Sequence, residues 1–502
     1  MSARWPDPAN PQSLDVRDYI RADPKSGAPP PTVTSHSTRH HHHASIWDKD
    51  HLAITTGSIL AFTIVAFQGL ALATIAPVLS EDIGGRNLYG WIFSAFLLPQ
   101  IIGTVYAGRE VDRHSPARVF LVHLVFFAVG CVVAGAAPSI YWLFLGRAIQ
   151  GFGAGGISSC VYAVISNAYE DRLRPAILAA TSAAWVVPSL IGPAIAGFVA
   201  EQWSWRWAFF GLVPILIVIA PLTLPSYRRI APSNVSAVSD RRLQYSIVLA
   251  IATGLFLAGL EIRPWWVGAV MAAIGIAGLV PMLVRLLPDG AFWAKPVMPA
   301  AIVARGLGFG GFAVVETYLI FSLKDFGGVS ATRAGLILTL TSLLWTAGSW
   351  IQSRWDRSGG SAQRPYRLVT GFTLLFISTL GIFLCVAVLQ DIWLWVGLVG
   401  WGVAGLGIGL AYPTAVSVAF ANTPSGLEGT VSSSMLLVDL FAFSIGVGLG
   451  GVLLALAETS GWSTESGAAL AMSLGVSMVF LAVIAGWRTR VPDGGLTVSS
   501  QQ

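Results

Sequence analysis

Long apolar runs, separated by short loops that carry arginines, constrain this chain more than any other feature. A helix that crosses a bilayer needs about 20 consecutive apolar residues, and only helices and closed barrels can cross one. Fourteen such runs are found, over residues 53–79, 89–108, 119–137, 140–168, 176–200, 206–225, 244–262, 265–286, 299–323, 332–353, 366–388, 392–418, 429–455 and 464–487. The sequence therefore predicts an all-α membrane protein.

The composition agrees with this prediction. Of the 502 residues, 54% are hydrophobic and 11% are charged, whereas soluble proteins carry about 25% charged residues. A net charge of +5 in a soluble protein would suggest nucleic-acid binding. Here the basic residues lie in loops between apolar runs, so we expect the lipid bilayer as partner and no nucleic acid.

The loop arginines and lysines lie mainly on one side of the predicted helices. Cytoplasmic loops carry an excess of Lys and Arg. Loops after even-numbered runs hold Arg109, Arg113, Arg118, Arg172, Arg174, Arg228, Arg229, Arg241, Arg242, Arg285, Lys295, Arg305, Arg354, Arg357, Arg364, Arg367, Arg488 and Arg490. The opposite loops hold Arg86, Arg206, Arg263, Lys324 and Arg333. We therefore expect a multi-pass protein of the cytoplasmic membrane, with both termini in the cytoplasm.

Several classes of function are disfavoured by what the sequence lacks. It has no GxxxxGK[ST] loop that would hold ATP phosphates, and no nucleophile–base pair stands out. Its cysteines, Cys131, Cys160 and Cys385, lie in apolar runs without disulfide or metal spacing. The tract from His40 to His43 could bind a metal ion loosely, but we favour a tract without function. We expect no enzyme activity, no cofactor and no metal site.

A weak internal repeat divides the chain. Residues 146–168 align without gaps to residues 400–422, so that glycines 146, 151, 153 and 155 meet glycines 400, 405, 407 and 409. Arg147 meets Trp401, and Gln150 meets Ala404. Repeats of this kind place the substrate between two like halves near the membrane midplane. The predicted organisation is a disordered tail (1–50), a six-helix bundle (51–226), a linker with an extra hairpin (227–290), a second six-helix bundle (291–488) and a cytoplasmic tail (489–502).

The fourth run contains polar residues at membrane depth, Arg147 and Gln150. A guanidinium there costs at least about 2.5–3.5 kcal/mol and normally faces a partner or a water-filled cavity. The alternative is a glycine-rich packing helix whose arginine reaches a nearby interface by snorkelling.

Two motifs resemble those of a known transporter family. Residues 108–120 read GREVDRHSPARVF, which resembles the cytoplasmic signature of the major facilitator superfamily, with Ser115 and Ala117 in place of a glycine and a basic residue. In this resemblance Gly108, Asp112, Arg113 and Arg118 are gating residues. Asp112 and the arginines form a charge network that latches helix ends together when the cytoplasmic side is closed. The alternative is an ordinary positively charged loop.

The fifth run reads PSLIGPAIAG over residues 188–197, similar to the Gly-Pro antiporter motif of the drug exporters of this superfamily. Pro188 and Pro193 would bend the helix, while Gly192 and Gly197 would allow close packing. The resemblance implies the major facilitator superfamily fold, with two six-helix bundles and an extra two-helix hairpin (14 transmembrane helices). Its nearest group is the fourteen-helix drug:proton antiporters.

This chain departs from the pattern of that group at the expected proton site. Its first helix often carries an acid nine residues before a proline, but this chain has Gln68 at that distance from Pro77. Glu316 and Asp439 lie inside apolar runs instead. Burial disfavours an ionised carboxylate, and acids inside membranes commonly mark proton pathways. We therefore expect proton coupling at Asp439 and Glu316, with Arg147 as a fixed positive charge. The alternative is that either acid lies near a helix end or in a static polar contact.

The expected function is proton-coupled export (antiport) of small hydrophobic or cationic compounds by a monomer. Aromatic residues offer large apolar contacts to such cargo. The predicted cavity residues are Gln68, Gln150, Trp185, Phe312, Trp345, Tyr412 and Phe443. Alternatives are export of a lipid, a cell-envelope precursor or a specific metabolite, and proton symport for uptake. A membrane receptor or scaffold that transports nothing is a third, and the largely intact loop after the second run argues against it.

Overall fold

A computed structural model of the chain describes most of its apolar part. The described residues are 45–49, 51–169, 173, 177, 180, 181, 184, 186–230, 240–262, 264–358, 360–389, 393–423 and 428–490. Within these ranges the long elements are all helices and no strand is found. The tail 1–44 with its histidines, Trp185, Arg263 and the residues after 490 lie outside the described part.

Fourteen long helices are found in the described residues, one for each predicted run. They are α1 Leu52–Asp82, α2 Trp91–Arg113, α3 Pro116–Gly135, α4 Ile140–Ala168, α5 Val186–Gln202, α6 Leu212–Tyr227, α7 Asp240–Glu261, α8 Trp265–Leu286, α9 Met298–Asp325, α10 Ala331–Arg357, α11 Arg364–Leu384, α12 Leu394–Ala421, α13 Glu428–Thr459 and α14 Thr464–Trp487. A four-residue helix, Trp207–Phe210, precedes α6, and a π-helical turn, Cys385–Leu389, continues α11.

Among the described residues, 13 helices are long and apolar enough to cross a membrane, which is all of the fourteen except α5. Helix α5 is described only from Val186, so its membrane-spanning length is not covered. One position differs from the expected topology. Arg305 was counted among the loop arginines, but it lies inside α9. That assignment was wrong, because the apolar pattern starts before Arg305 and continues after it.

The helices pack in two groups and a hairpin. Helices α1–α6, the first half, contact one another, chiefly through α2 on α4, α3 on α4 and α1 on α5. Helices α9–α14, the second half, pack through α10 on α12, α11 on α12 and α9 on α14. The two halves meet along two seams, α5 with α10 and α2 with α13. Helices α7 and α8 pair with each other, and α7 also contacts both α2 and α13.

The glycines of the sequence repeat hold equivalent positions in the two halves. A Cβ atom on Gly151 or Gly155 of α4 would lie 2.0 or 2.2 Å from a backbone oxygen of α2. A Cβ atom on Gly405 or Gly409 of α12 would lie 2.3 or 2.2 Å from a backbone oxygen of α10. Only glycine permits such close backbone contact between helices. The weak sequence repeat therefore corresponds to one packing arrangement that is used twice.

Filling one of these contacts should destabilise the protein. In Gly155→Val the new side chain would meet the Gln100 carbonyl of α2, and overpacking of this kind costs about 1–3 kcal/mol. We expect a lower thermal unfolding midpoint in detergent. Gly381→Val is the matched control, because a Cβ atom there meets nothing within 4 Å. Equal midpoints for the two variants would contradict the close contact between α2 and α4.

Candidate functional site

One face of α9 carries a cation, two aromatic rings and an acid. Arg305, Phe309, Phe312 and Glu316 follow one another at intervals of four, three and four residues, which places them on the same side of a helix. The stripe is about 16 Å long at 1.5 Å per residue. Phe312 is buried, and the other members of the stripe are partly exposed. Because α9 packs against α12, α13 and α14, the stripe faces the interior of the protein.

Arg305 forms a buried ion pair with an acid of α13. Its Nη2 atom is 2.6 Å from Oδ2 of Asp439, and the two side chains are 12% and 5% exposed. The Tyr412 hydroxyl of α12 lies within hydrogen-bond distance of both, at 2.6 Å from the same carboxylate oxygen. The second carboxylate oxygen of Asp439 is buried without a hydrogen-bond partner among the described residues. Three helices of the second half thus meet in one charged group, which we call the Arg305 triad (Arg305, Tyr412 and Asp439).

The Arg305 triad faces the first half of the protein. Tyr162 of α4 lies within electrostatic range of both Arg305 and Asp439. Its side chain is 47% exposed, and its ring packs edge-on against Phe62 of α1 at 5.3 Å. The triad therefore lies opposite a tyrosine of the first half.

Aromatic rings surround the triad on the side of the second half. Neighbouring ring centroids lie 5.5–6.4 Å apart, the usual range for aromatic pairs. This aromatic cluster consists of Phe309, Phe312, Trp345, Tyr412 and Phe443. It brings together four of the residues that the sequence predicted for the cavity, from four different helices, and adds Phe309.

Glu316 lies beyond the cluster on the same face of α9. Its Oε2 atom accepts a hydrogen bond of 3.1 Å from Nε1 of Trp401, and the Trp401 ring stacks on Phe312 at 4.7 Å. Trp401 is fully buried, whereas Glu316 is partly exposed. Within the described part of the chain, no Lys, Arg or His lies within the ion-pair distance of 4.0 Å from Glu316.

Arg147 occupies a different environment. It is 2% exposed, donates from Nε to the Ile92 carbonyl at 3.2 Å and from Nη1 to Oε1 of Gln150 at 2.6 Å. Its guanidinium lies 4.2 Å from the centroid of the Phe96 ring, and Gln150 in turn donates to Sγ of Cys131. No carboxylate forms an ion pair with Arg147 in the described residues. Arg147 and Gln150 thus connect α4 to α2 and α3 rather than to the Arg305 triad.

Gln68 of α1 is also buried, and neither atom of its amide has a hydrogen-bond partner among the described residues. No hydrogen bond joins it to Arg147 among the described residues. A buried amide without partners is costly, so this described position of the first half remains a candidate for contact with a ligand.

The gate residues predicted after the second run lie at the end of α2 and, for Arg118, at the start of α3. A Cβ atom on Gly108 would lie 3.2 Å from Oγ of Ser159 on α4, and Arg113 and Arg118 are exposed. The side chain of Asp112 lies outside the described part. A counterpart that was not predicted lies at the end of α10, where Asp356 forms ion pairs with Arg364 and Arg367. The signal was present, because residues 355–367, WDRSGGSAQRPYR, repeat the Asp-Arg and Pro-x-Arg elements of residues 111–118.

The antiporter-like motif of α5 lies in the α5–α10 seam. A Cβ atom on Gly197 would lie 2.8 Å from the Ala331 carbonyl oxygen, and one on Gly335 would lie 2.7 Å from the Pro193 carbonyl oxygen. A Cβ atom on Gly192 would lie 3.3 Å from the Phe67 ring of α1. The fourth motif residue, Pro188, is buried near the start of the described part of α5. The motif therefore allows the two halves to touch backbone to backbone.

Charged groups join the two halves at the end where α1 and α9 terminate, which we call the latched end. Arg86 pairs with Asp325 and with Glu458, the latter at 3.3 Å. Lys324 is 3.1 Å from Glu81. These pairs involve loops on the side that the sequence assigned to the cell exterior.

A further contact closes the same end along α5 and α10. The Glu201 carboxylate of α5 accepts two hydrogen bonds of 2.8 Å from Thr332, one from its backbone N–H and one from its hydroxyl. An acidic group at a helix N-terminus is favourable. Closure of the latched end therefore gives α10 a cap that belongs to the other half.

Comparison with known proteins identifies the family. Residues 57–447 match the model of the Major Facilitator Superfamily. The chain belongs to this superfamily. Two similar proteins are a "Probable multidrug-efflux transporter" of Mycobacterium tuberculosis, 26% identical over 459 residues (85% of this chain, 92% of the relative), and "Multidrug resistance protein 3" of Bacillus subtilis, 22% identical over 464 residues (88% of each).

Solved structures of other transporters have the same fold. A POT family peptide transporter superposes with a TM-score of 0.62 at 17% identity, covering 88% of this chain and 98% of its own. A D-xylose–proton symporter gives 0.62 at 14% identity, covering 87% and 97%. Membership of this superfamily makes the protein a multi-pass membrane transporter and not an enzyme. Among the described residues, the acids that lie well inside the helices of the two halves, Asp439 and Glu316, both belong to the second half.

Proposed function

We propose that this superfamily member exports small hydrophobic or cationic compounds in exchange for protons. The observation that carries the proposal is the Arg305 triad, a buried ion pair directly beside the aromatic cluster. A buried charge pair at this depth is costly to keep, and acids inside membrane proteins commonly mark proton pathways. The names of the two bacterial relatives, which refer to multidrug efflux and resistance, support the export of drug-like compounds.

Proton uptake at Asp439 supplies the coupling step. An incoming proton neutralises the carboxylate and ends its ion pair with Arg305, because only the ionised form attracts the guanidinium. Arg305 then remains as an unbalanced positive charge next to the cargo. Loss of the proton restores the pair and returns the site to neutrality. Cargo and proton thereby exclude each other, which is the requirement for antiport.

The aromatic cluster supplies the binding surface for the cargo. Five rings on four helices offer apolar area without a fixed pattern of hydrogen bonds, so that cargo of different shapes can be accommodated. The bound compound would lie between the halves near the membrane midplane, as in other transporters built from repeats.

Alternating access would come from motion of the two six-helix bundles, residues 51–226 and 291–488, against each other. The described conformation is closed at the latched end, and the positive-inside assignment makes that end the outer one. Asp112, Arg113 and Arg118, with Asp356 as counterpart, would latch the other end in the alternate state. The glycines of the α5–α10 seam would separate as the latched end opens.

Reconstitution in liposomes tests the proposal. With an imposed pH gradient and the lipophilic cation ethidium as cargo, wild type should move the dye against its gradient. Asp439→Asn should reduce this movement to the level of protein-free liposomes, because the asparagine cannot exchange a proton. Asp289→Asn, in an exposed loop after α8, should behave as wild type. Gradient-driven transport in Asp439→Asn at the wild-type rate would refute the proposed coupling site.

A further inference from the structure

The two acids inside the helices of the second half differ in how their charge is balanced. Asp439 has a cation, Arg305, at 2.6 Å and a hydroxyl from Tyr412. Glu316 has a single indole N–H donor, from Trp401, and no cation within ion-pair distance in the described part of the chain. An ionised carboxylate in an apolar interior requires a compensating positive charge. For Asp439 the protein supplies that charge, and for Glu316 no described residue does.

The surroundings of Glu316 are suited to a positively charged aromatic guest. The stripe on α9 leads from Glu316 over Phe312 and Phe309 to Arg305. Phe312 packs between Trp401 at 4.7 Å and Trp345 at 5.5 Å. Aromatic faces attract cations, and the Trp401 N–H bond orients the carboxylate next to these rings. Phe312 and Trp401 are buried, so the rings of the cluster that a cation could contact beside them are the partly exposed Phe309 and Trp345. The site therefore combines one negative charge with aromatic rings that attract cations.

The other end of the stripe carries a positively charged side chain. Arg305 lies about 16 Å from Glu316 along α9, close to the length of a drug-sized aromatic molecule. While Asp439 is ionised, it balances Arg305, and the stripe together with Asp439 carries a net charge of −1 when Glu316 is also ionised. When Asp439 takes up a proton, Arg305 is unbalanced and this net charge rises by one. A cation that is held at Glu316 is then bound less tightly.

We infer that Glu316 is the counter-ion for the positive charge of the cargo, and that the proton is handled by Asp439 alone. This inference rests on the proposed function and deepens it, because it assigns different tasks to the two acids and names the ligand class. The ligand is a lipophilic cation with one positive charge, oriented with that charge at Glu316 and its apolar part on the aromatic cluster.

Binding to the purified full-length protein tests the inference without transport. The probes are tetraphenylphosphonium and tetraphenylborate, which have the same shape and opposite charge. Glu316→Gln should weaken phosphonium binding about tenfold or more, the loss expected for one charged contact, and should leave borate binding unchanged or stronger. Glu316→Asp should retain part of the phosphonium affinity, because it keeps the charge.

Glu261→Gln provides the matched control. Glu261 is also a partly exposed carboxylate on a membrane helix, and it also accepts a 3.1 Å hydrogen bond from a tryptophan, Trp91. It lies on α7, outside the aromatic cluster. Phosphonium binding should be the same as in wild type. Equal binding by Glu316→Gln and Glu261→Gln would overturn the inference.

A second measurement separates the inference from the proposed function. The pH dependence of phosphonium affinity should persist in the residual binding of Glu316→Gln and disappear in Asp439→Asn, which still binds the cation. Loss of the pH dependence in Glu316→Gln would make Glu316 a proton site and would overturn the inference. If wild type binds phosphonium through Glu316 but pumps nothing in liposomes, the proposed function fails and the assignment of Glu316 stands.

Discussion

Arg305→Gln should strongly destabilise the transporter, and a second substitution, Asp439→Asn, should restore most of the loss. Removing one partner of a buried ion pair leaves the other charge uncompensated, which costs about 3–5 kcal/mol. Asp439 is 5% exposed and already has one oxygen without a hydrogen-bond partner among the described residues. We therefore expect a large decrease in the thermal unfolding midpoint of the single variant in detergent.

The double variant makes the result specific. With Asp439→Asn added, neither side chain carries a charge, so the electrostatic part of the loss disappears. The difference between the single and double variants measures the interaction between the two positions. Arg364→Gln is a useful comparison, because its ion pair with Asp356 is more exposed, and exposed pairs contribute only about 0–1 kcal/mol. A single variant Arg305→Gln as stable as Arg364→Gln would show that the pair is not buried in the membrane.

Gly335→Val should prevent the latched end from closing while leaving both halves folded. The added side chain would meet the Pro193 carbonyl across the α5–α10 seam, and a backbone atom cannot move away as a flexible side chain can. The contact joins the halves and lies outside the core of either. We therefore expect an unchanged yield of folded protein, a shift towards the conformation that is open at the latched end, and loss of transport.

Cross-linking measures this shift. In a background without Cys385, the one partly exposed cysteine among the described residues, cysteines at positions 81 and 324 replace the Glu81–Lys324 pair. A short bifunctional reagent should join them in wild-type background and fail in Gly335→Val. Gly381→Val serves as control, because its Cβ atom has open space around it. Unimpaired cross-linking in Gly335→Val would show that closure does not require the α5–α10 contact.

The apolar runs were sufficient to predict the helices, because each run satisfies the length requirement of a bilayer independently of the others. The aromatic cluster was also accessible, since large rings in membrane helices beside acids are conspicuous in the sequence. The role of Arg305 could not be predicted from the sequence. Its burial is explained by Asp439, 134 residues later in the chain, and no local pattern reports a contact at that distance. Loop counting therefore placed Arg305 at the membrane surface.

Arg147 is a different case. Its position in an apolar run suggested a charge that faces a partner or a water-filled cavity, and its donors are used by the Ile92 carbonyl and Gln150. A backbone carbonyl of a neighbouring helix can accept from any donor that reaches it, so its use leaves no trace in the sequence. The glycine repeat was informative for a related reason. Close contact between backbones excludes every other residue type, and this exclusion is visible as a spacing of glycines.

The placement of α7 makes the two sides of the transporter unequal towards the surrounding lipid. Arg242 near the start of α7 donates to Ser433 of α13, and Glu261 at its end accepts from Trp91 of α2. Leu257 lies so near α13 that a Cβ atom on Gly448 would come within 2.5 Å of it. Helix α7 thus covers the α2–α13 seam along its length and contacts both halves. Helix α7 therefore shields the α2–α13 seam from the acyl chains, whereas α5 and α10 close the other seam by direct contact with each other.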